Sequence, residues 1–210
     1  MSGYSIRYAS SDDVEGVHAF HVANAGEYVW PRTLEELRQM VIDRSVFVVE
    51  TDGTVVGMAY TRRDPPRWEF GGAFVDNAHR NNGLAGGLSR VALTAHFSAE
   101  NPPLDEPLIA HVHEFNPSNI REVLGKLGFE RTGRETPPPE IAPRTMKRNH
   151  DGQVVGELYT FRCIGLERLV TWLGDADSRY AVDVAWFDRD ELRADLCGLL
   201  EDCDDERWGQ

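Results

Sequence analysis

The chain has 210 residues, 41% of them hydrophobic, and a formal net charge of −13, so it is long enough to bury a real core as one domain with an appendage or as two small domains. No stretch approaches the ~18 apolar residues of a membrane span, and the start MSGYSIRYAS lacks the charged-then-apolar pattern of a secretory signal. Three cysteines (Cys163, Cys197, Cys203) point to a reducing cytoplasm, and the acidity argues against a nucleic-acid partner, which needs a basic face.

Residues 5–9 (SIRYA) read as a short strand. Asp12 opens a helix with Glu15 three residues on, the pattern of a capping box. Val14, Val17 and His21 share a face of that helix, with His18 and His21 read as surface or face-edge residues. A second helix starts at Thr33, where T-L-E-E is another capping box, and Leu34, Leu37 and Val41 form its apolar stripe. SVFVVE and VVGMAY flank Asp52-Gly53, a hairpin signal. RRDPPR reads as a loop, its prolines stopping any strand. WEFGGAFV is a fourth strand in which Gly71 and Gly72 predict a bulge or a close backbone approach. A helix runs from about Leu84 to Phe97, and PLIAHVH is a fifth strand. Asn116-Pro117-Ser118 starts a helix through IREVLGKL, which Gly128-Phe129 ends before a strand near ERTGRE. After the proline-rich TPPPEIAPR, VVGELYTFRC alternates as a long strand, and residues 166–173 and 188–202 look helical. This order predicts an α/β fold with one mixed sheet between helices.

The informative segment is FVDNAHRNNGLAGGLSRVAL, residues 74–93. A strand ends at Val75, a short loop holds Arg80, Asn81, Asn82 and Gly83, and a helix follows at once. Such a turn aims free backbone N–H groups and the positive end of a helix dipole at one spot. Gly83 permits close approach of a bulky anion. The physical reading is a diphosphate site, and the plainer one is an ordinary glycine-rich turn. No Gly-Lys-Ser/Thr follows, so it is not the Walker pattern.

The string V-D-N-A-H-R-N-N-G-L-A resembles the acetyl-CoA signature R/Q-x-x-G-x-G/A of the GCN5-related N-acetyltransferases (GNAT), with Arg80, Gly83 and Ala85 in its defined positions. A second segment, N-P-S-N-I-R-E-V-L-G-K-L-G-F (116–129), resembles the later motif of that family, and the element order over 5–163 follows it too. The resemblance implies a mixed, mostly antiparallel central sheet flanked by helices, and residues 164–210 extend past the usual end of that core as a helical C-terminal extension. It implies an acetyl-CoA-dependent transfer to a primary amine of a small molecule or protein. The diphosphate would rest on the amides of Arg80, Asn81, Asn82, Gly83, Leu84 and Ala85. The pantetheine arm would pair near Phe74 and Val75, with the Val75 amide facing the developing oxyanion. Asn116 matches the asparagine that contacts the cofactor from the fifth strand. A helix tyrosine that protonates the CoA thiolate in many members is replaced here by Val123 or Leu124, and Tyr159 and Tyr180 are unsupported substitutes. That departure motivates a second reading, a non-catalytic acyl-CoA-binding module. A third, acetylation of aminoacyl-tRNA, is disfavoured by the charge.

Glu69 lies eleven residues before Arg80, a spacing that resembles the one between the base glutamate and the diphosphate loop in histone-acetylating members, and is the candidate base; the alternatives are an exposed carboxylate or an ion partner of Arg67. His111, His113 and Glu114 form a second cluster, read as substrate contacts, an auxiliary base or polar residues beside a strand splay. No metal site is expected, because H-x-H lacks a third ligand. Tyr28 and Trp30 join the acceptor-side residues through the family's pocket layout. The expected domains are 1–163, the acetyltransferase unit, and 164–210, an acidic extension. The extension carries 13 acidic and 5 basic residues, and its leucine stripe packs on the core or forms a homodimer contact.

Overall fold

The computed structural model describes residues 4–24, 29–97, 107–116, 120–136, 150 and 158–163. In chain order these form β1 (Ser5–Tyr8), α1 (Val14–Asn24), α2 (Leu34–Ile42), β2 (Val46–Thr51), β3 (Thr54–Asp64), β4 (Arg67–Val75), α3 (Leu84–Phe97), β5 (Leu108–His113), α4 (Ile120–Lys126), β6 (Phe129–Glu135) and β7 (Leu158–Cys163). The strands make one seven-stranded sheet in the order β1-β2-β3-β4-β5-β7-β6. Only β4 and β5 pair in parallel; the other neighbours are antiparallel. The expected mixed, mostly antiparallel sheet is present. The TPPPEIAP stretch from residue 137 on, Tyr28, Tyr180, Cys197, Cys203 and the whole 164–210 extension lie outside the described residues.

Two apolar clusters cover the two faces. Leu84, Leu88, Val91 and Leu93 of α3 meet Leu124 of α4 and Leu127 just after it over Phe47, Val49, Phe70, Val112 and Phe161. On the opposite face, Val14, Val17, Leu37, Met40 and Val41 of α1 and α2 meet Val46, Val48, Met58 and Tyr60. Strand alternation puts adjacent residues on opposite faces. Trp68, Phe70 and Val75 therefore belong to the α3 face, and Arg67, Glu69 and Phe74 to the α1/α2 face, through their pairs Arg63, Thr61, Gly57 and Asp64, Arg62, Met58.

Local chemistry explains most boundaries. Thr33 Oγ1 accepts the Glu36 N–H at 3.2 Å while Glu36 accepts the Thr33 N–H at 2.8 Å, so the predicted box starts α2. Asp52 and Gly53 both take positive φ (51° and 75°), which the tight hairpin between β2 and β3 requires. Three expectations need correction. The first box sits two residues earlier, at Ser10 and Asp13: the Asp13 carboxylate accepts the Ser10 N–H at 2.7 Å, because Arg7 has already fixed Asp13 with two hydrogen bonds at 2.7 and 2.9 Å. RRDPPR is not a loop throughout: pairing continues to Asp64 and Arg67, and only the Pro65-Pro66 pair turns, where no backbone donor is needed. His21 is fully buried, not a surface residue.

The predicted irregularity at Gly71-Gly72 is both a bulge and a close approach. The register slips between Met58 and Tyr60. Gly72 has φ +60°, and a Cβ there would lie 2.4 Å from the Tyr60 ring. The bulge thus lets Tyr60 lie flat against β4.

Candidate active site

β4 and β5 pair at two positions only, Trp68 with Leu108 and Glu69 with Ile109. Beyond Glu69 they separate, and β5 turns its other edge to β7. This leaves a cleft between the C-terminal half of β4 and β5. The Asp76 N–H bonds to the Val56 carbonyl at 2.8 Å, which makes Val75 and Gly57 a non-hydrogen-bonded pair of the antiparallel ladder. Both backbone groups of Val75 consequently point away from β3, toward the cleft. Its carbonyl already accepts from Arg80 Nε at 3.1 Å. The Val75 N–H faces the opening. Phe74 points to the α1/α2 face, where it stacks on Phe20 with ring centroids 5.5 Å apart.

At the end of β4, Asp76 Oδ1 accepts the Ala78 N–H at 2.8 Å and shapes a short turn. Asn81 and Gly83 take φ values of 65° and 71°, and the first helical bond of α3 is Gly87 N–H to Gly83 O at 3.1 Å. The first-turn amides of Leu84, Ala85 and Gly86 have no acceptor within the helix. Arg80, Asn81, Asn82 and Gly83 are exposed around them. The geometry is that of an anion-binding nest backed by a helix dipole.

Glu69 is neither an exposed carboxylate nor a partner of Arg67. Its Oε2 accepts from Arg32 Nη2 at 2.9 Å and from Arg62 Nη2 at 3.3 Å. Arg67 instead forks onto Glu135, at 3.0 and 3.3 Å. Arg32 is the hub that the sequence did not reveal. Its side chain is 0% exposed, its Nε donates to Tyr60 Oη at 3.0 Å, and its guanidinium lies 4.8 Å from the Trp30 ring. Its own N–H donates to His21 Nε2 at 2.9 Å. Burial opposes the Arg32 charge, yet Tyr60 and Glu69 hold its pKa well above the ordinary value. Burial also pushes Tyr60 up, and it pushes His21 down to about 4. Trp30, Arg32, Tyr60, Arg62 and Glu69 thus form one cluster on the α1/α2 face. No periodic pattern marks Arg32, which sits in the segment between two helices.

His111 and His113 share that face with Ile109, the register partner of Glu69. His111 Nε2 lies 3.3 Å from Glu135 Oε2, and its side chain is 11% exposed. Burial raises the Glu135 carboxyl, but the Arg67 hydrogen bond and the His111 charge outweigh it and hold it below the ordinary range. His113 is buried and its Nδ1 accepts the Phe115 N–H at 3.2 Å, so it anchors the turn after β5. Glu114 lies in that turn, 3.9 Å from Arg134 Nη1, and the Asn116 N–H closes it onto the His113 carbonyl at 3.0 Å. Leu124 is buried in the core and Val123 packs beside it, so neither place of the missing tyrosine offers a hydroxyl. Among the described residues no group of three or more metal-ligating side chains exists, and no helix is long and apolar enough to cross a membrane.

Solved structures share this architecture. An N-acetyltransferase from Staphylococcus aureus Mu50 is 21% identical, with a TM-score of 0.55 over 77% of this chain and 98% of its own. A ribosomal-protein-alanine N-acetyltransferase from Brucella melitensis is also 21% identical, with a TM-score of 0.53 over 75% and 97%. A putative acetyltransferase from Salmonella typhimurium, solved with its cofactor acetyl-CoA, is 19% identical, with a TM-score of 0.51 over 77% and 93%. No curated protein matches the sequence. The sequence profile of the acetyltransferase (GNAT) family matches residues 17–129, more than half of the chain and the whole stretch from α1 through the amide nest to the start of β6. The chain belongs to the GNAT acetyltransferase family.

Proposed function

We propose that the protein is an acetyl-CoA-dependent N-acetyltransferase that passes the acyl group directly from the CoA thioester to a primary amine of a small molecule or peptide, in the cytoplasm. The observation that carries this reading is the alignment of the Val75 N–H with the β4–β5 cleft, one short turn from the amide nest. The diphosphate rests on the nest from Arg80 to Ala85, and the thioester arm enters the cleft beside Phe74 and Val75, with Asn116 on the opposite wall. The Salmonella relative was solved with acetyl-CoA, which favours the same co-substrate here.

The amine nitrogen attacks the thioester carbonyl, a C–N bond forms and the C–S bond breaks, and CoA leaves as the thiolate. The Val75 N–H donates to the carbonyl oxygen as its negative charge grows. An alkyl amine, with pKa about 10.4, is almost wholly protonated at neutral pH, so a proton acceptor raises the reactive fraction. Glu69 takes that role from the floor of the cleft. Its Oε2 accepts from two guanidinium groups, those of Arg32 and Arg62. Trp30 and His111, with Glu135 beside it, line the acceptor side, whereas Glu114 lies toward Arg134 on the opposite face. Aromatic and acidic groups there suit an amine-bearing ligand.

Thiol release from acetyl-CoA against a panel of amines tests the reading. The expected result is turnover that falls at least tenfold in Glu69→Gln while CoA affinity stays within twofold. Tight CoA binding without turnover on any amine would favour instead a module that holds acyl-CoA. The apolar pair Val123 and Leu124 supports that second reading.

A further inference from the structure

Tyr159 of β7 pairs with Val112 of β5 and packs on the α3/α4 face of the sheet. Three guanidinium groups surround its ring: Arg131 at 4.5 Å, Arg134 at 5.0 Å and Arg121 at 5.1 Å from the centroid. Arg121 Nη2 donates to the Glu114 carbonyl at 2.7 Å and to the Asn116 carbonyl at 3.5 Å, which ties the group to the turn at the end of β5. Arg134 Nη2 donates to Tyr159 Oη at 3.4 Å, and its Nη1 is 3.9 Å from Glu114. Arg121 and Arg131 pair with no carboxylate among the described residues. Three like charges on one ring repel one another, and this happens in a chain of net charge −13. Guanidinium groups stacked on an aromatic ring keep their N–H edges directed outward, in the geometry that phosphate oxygens accept.

Topology sets this cluster beside the nest. β4 and β5 run parallel, so α3 and α4 both begin at the same edge of the same sheet face. Tyr159 lies two strands from β4, roughly 10 Å before the splay is added. The Asp76 carboxylate is used locally, accepting the Ala78 N–H in the turn that leads into the nest. A polyanion seated on the nest therefore meets attraction on the α4 side. Coenzyme A carries a third phosphate, a monoester on its ribose, which the turn at residues 80–85 does not account for.

We propose that Arg121, Arg131 and Arg134, gathered on Tyr159, hold the ribose 3′-phosphate of the coenzyme and make the protein select CoA over its 3′-dephospho form. This rests on the coenzyme reading above, and the test separates the two. Calorimetric titration of the wild-type protein with CoA and with 3′-dephospho-CoA reads the preference without needing an acceptor amine. The expected preference is at least about tenfold for CoA, the strength of a charge-assisted phosphate contact near the surface. It shrinks as salt rises. Arg131→Gln, at an exposed position of the edge strand β6, cuts the preference several-fold, Arg131→Lys retains part of it, and Arg121→Gln with Arg131→Gln brings it close to one. Equal wild-type binding of the two coenzymes overturns this proposal alone. A protein that binds neither overturns the coenzyme reading, and this one with it.

Discussion

Arg32 Nη2 donates to Glu69 Oε2 at 2.9 Å, with both side chains withdrawn from water, at 0% and 10% exposure. A pair so placed is costly to break from one side, because the survivor keeps its charge without its partner. Arg32→Met is expected to destabilise the protein by about 3 kcal/mol, since Arg62 still reaches Glu69 at 3.3 Å. Arg32→Met combined with Glu69→Met should recover most of that loss in urea unfolding, and should recover no turnover. Recovery of both would remove Glu69 from the chemistry.

The bulge in β4 makes a second expectation. Gly72→Ala must hold an L side chain at φ +60° and place its Cβ 2.4 Å from the Tyr60 ring. The cost should be on the order of 2 kcal/mol or more. Gly16 is the control: it lies in α1, and the methyl that alanine would add there meets nothing within 4 Å, so Gly16→Ala should stabilise by about 0.5–1 kcal/mol. Thermal unfolding of the two variants should move in opposite directions.

Cofactor affinity should depend on the backbone of the nest more than on its side chains. Gly83→Ala, at φ +71°, is expected to cost about 1 kcal/mol of stability and to raise the KM for acetyl-CoA about tenfold as the amides lose their common aim. Steady-state kinetics with acetyl-CoA as the varied substrate gives the number. An unchanged KM would place the diphosphate elsewhere.

Acid should weaken the fold before it reaches the carboxylates. Burial pushes both His21 and His96 down to about 4, whereas the unfolded chain takes up these protons near 6.5. A folded-state pKa below the unfolded one means that protons favour unfolding. The contribution of both histidines is complete above pH 6.5 and is lost as the pH falls toward 4, on the order of 2 kcal/mol each. Urea midpoints measured from pH 7.5 to 4.5 should show this slope, and His96→Leu should flatten its share.

What could be read in the chain was local. Thr33 with Glu36 and Asp52 with Gly53 are neighbours whose bonding follows from spacing, and the structure uses both. The turn of the nest was legible for the same reason, as a strand, eight residues and a helix. Asp12/Glu15 and Ser10/Asp13 are equally good boxes by pattern, and only Arg7, from across β1, decides between them. Arg32 was beyond reach because its partners Tyr60 and Glu69 are 28 and 37 residues away. The pairing of Arg67 with Glu135 spans 68 residues, so the nearer Glu69 looked like the natural partner.

Among the described residues, Trp68–Leu108 and Glu69–Ile109 are the only ladder pairs between the four-stranded part of the sheet and the three-stranded part. The molecule is in this respect a clothes-peg, sprung at Glu69 and gaping toward Val75 and His113. A pantetheine arm seated in the gap, as proposed, would be a rung between the two jaws. In the proposed reaction the carboxylate that would serve the amine stands at the spring, so seating the thioester would also set the floor on which the amine lands. An enzyme built this way should take its coenzyme first and its amine second, and amide hydrogen exchange along β5 should slow on adding CoA alone.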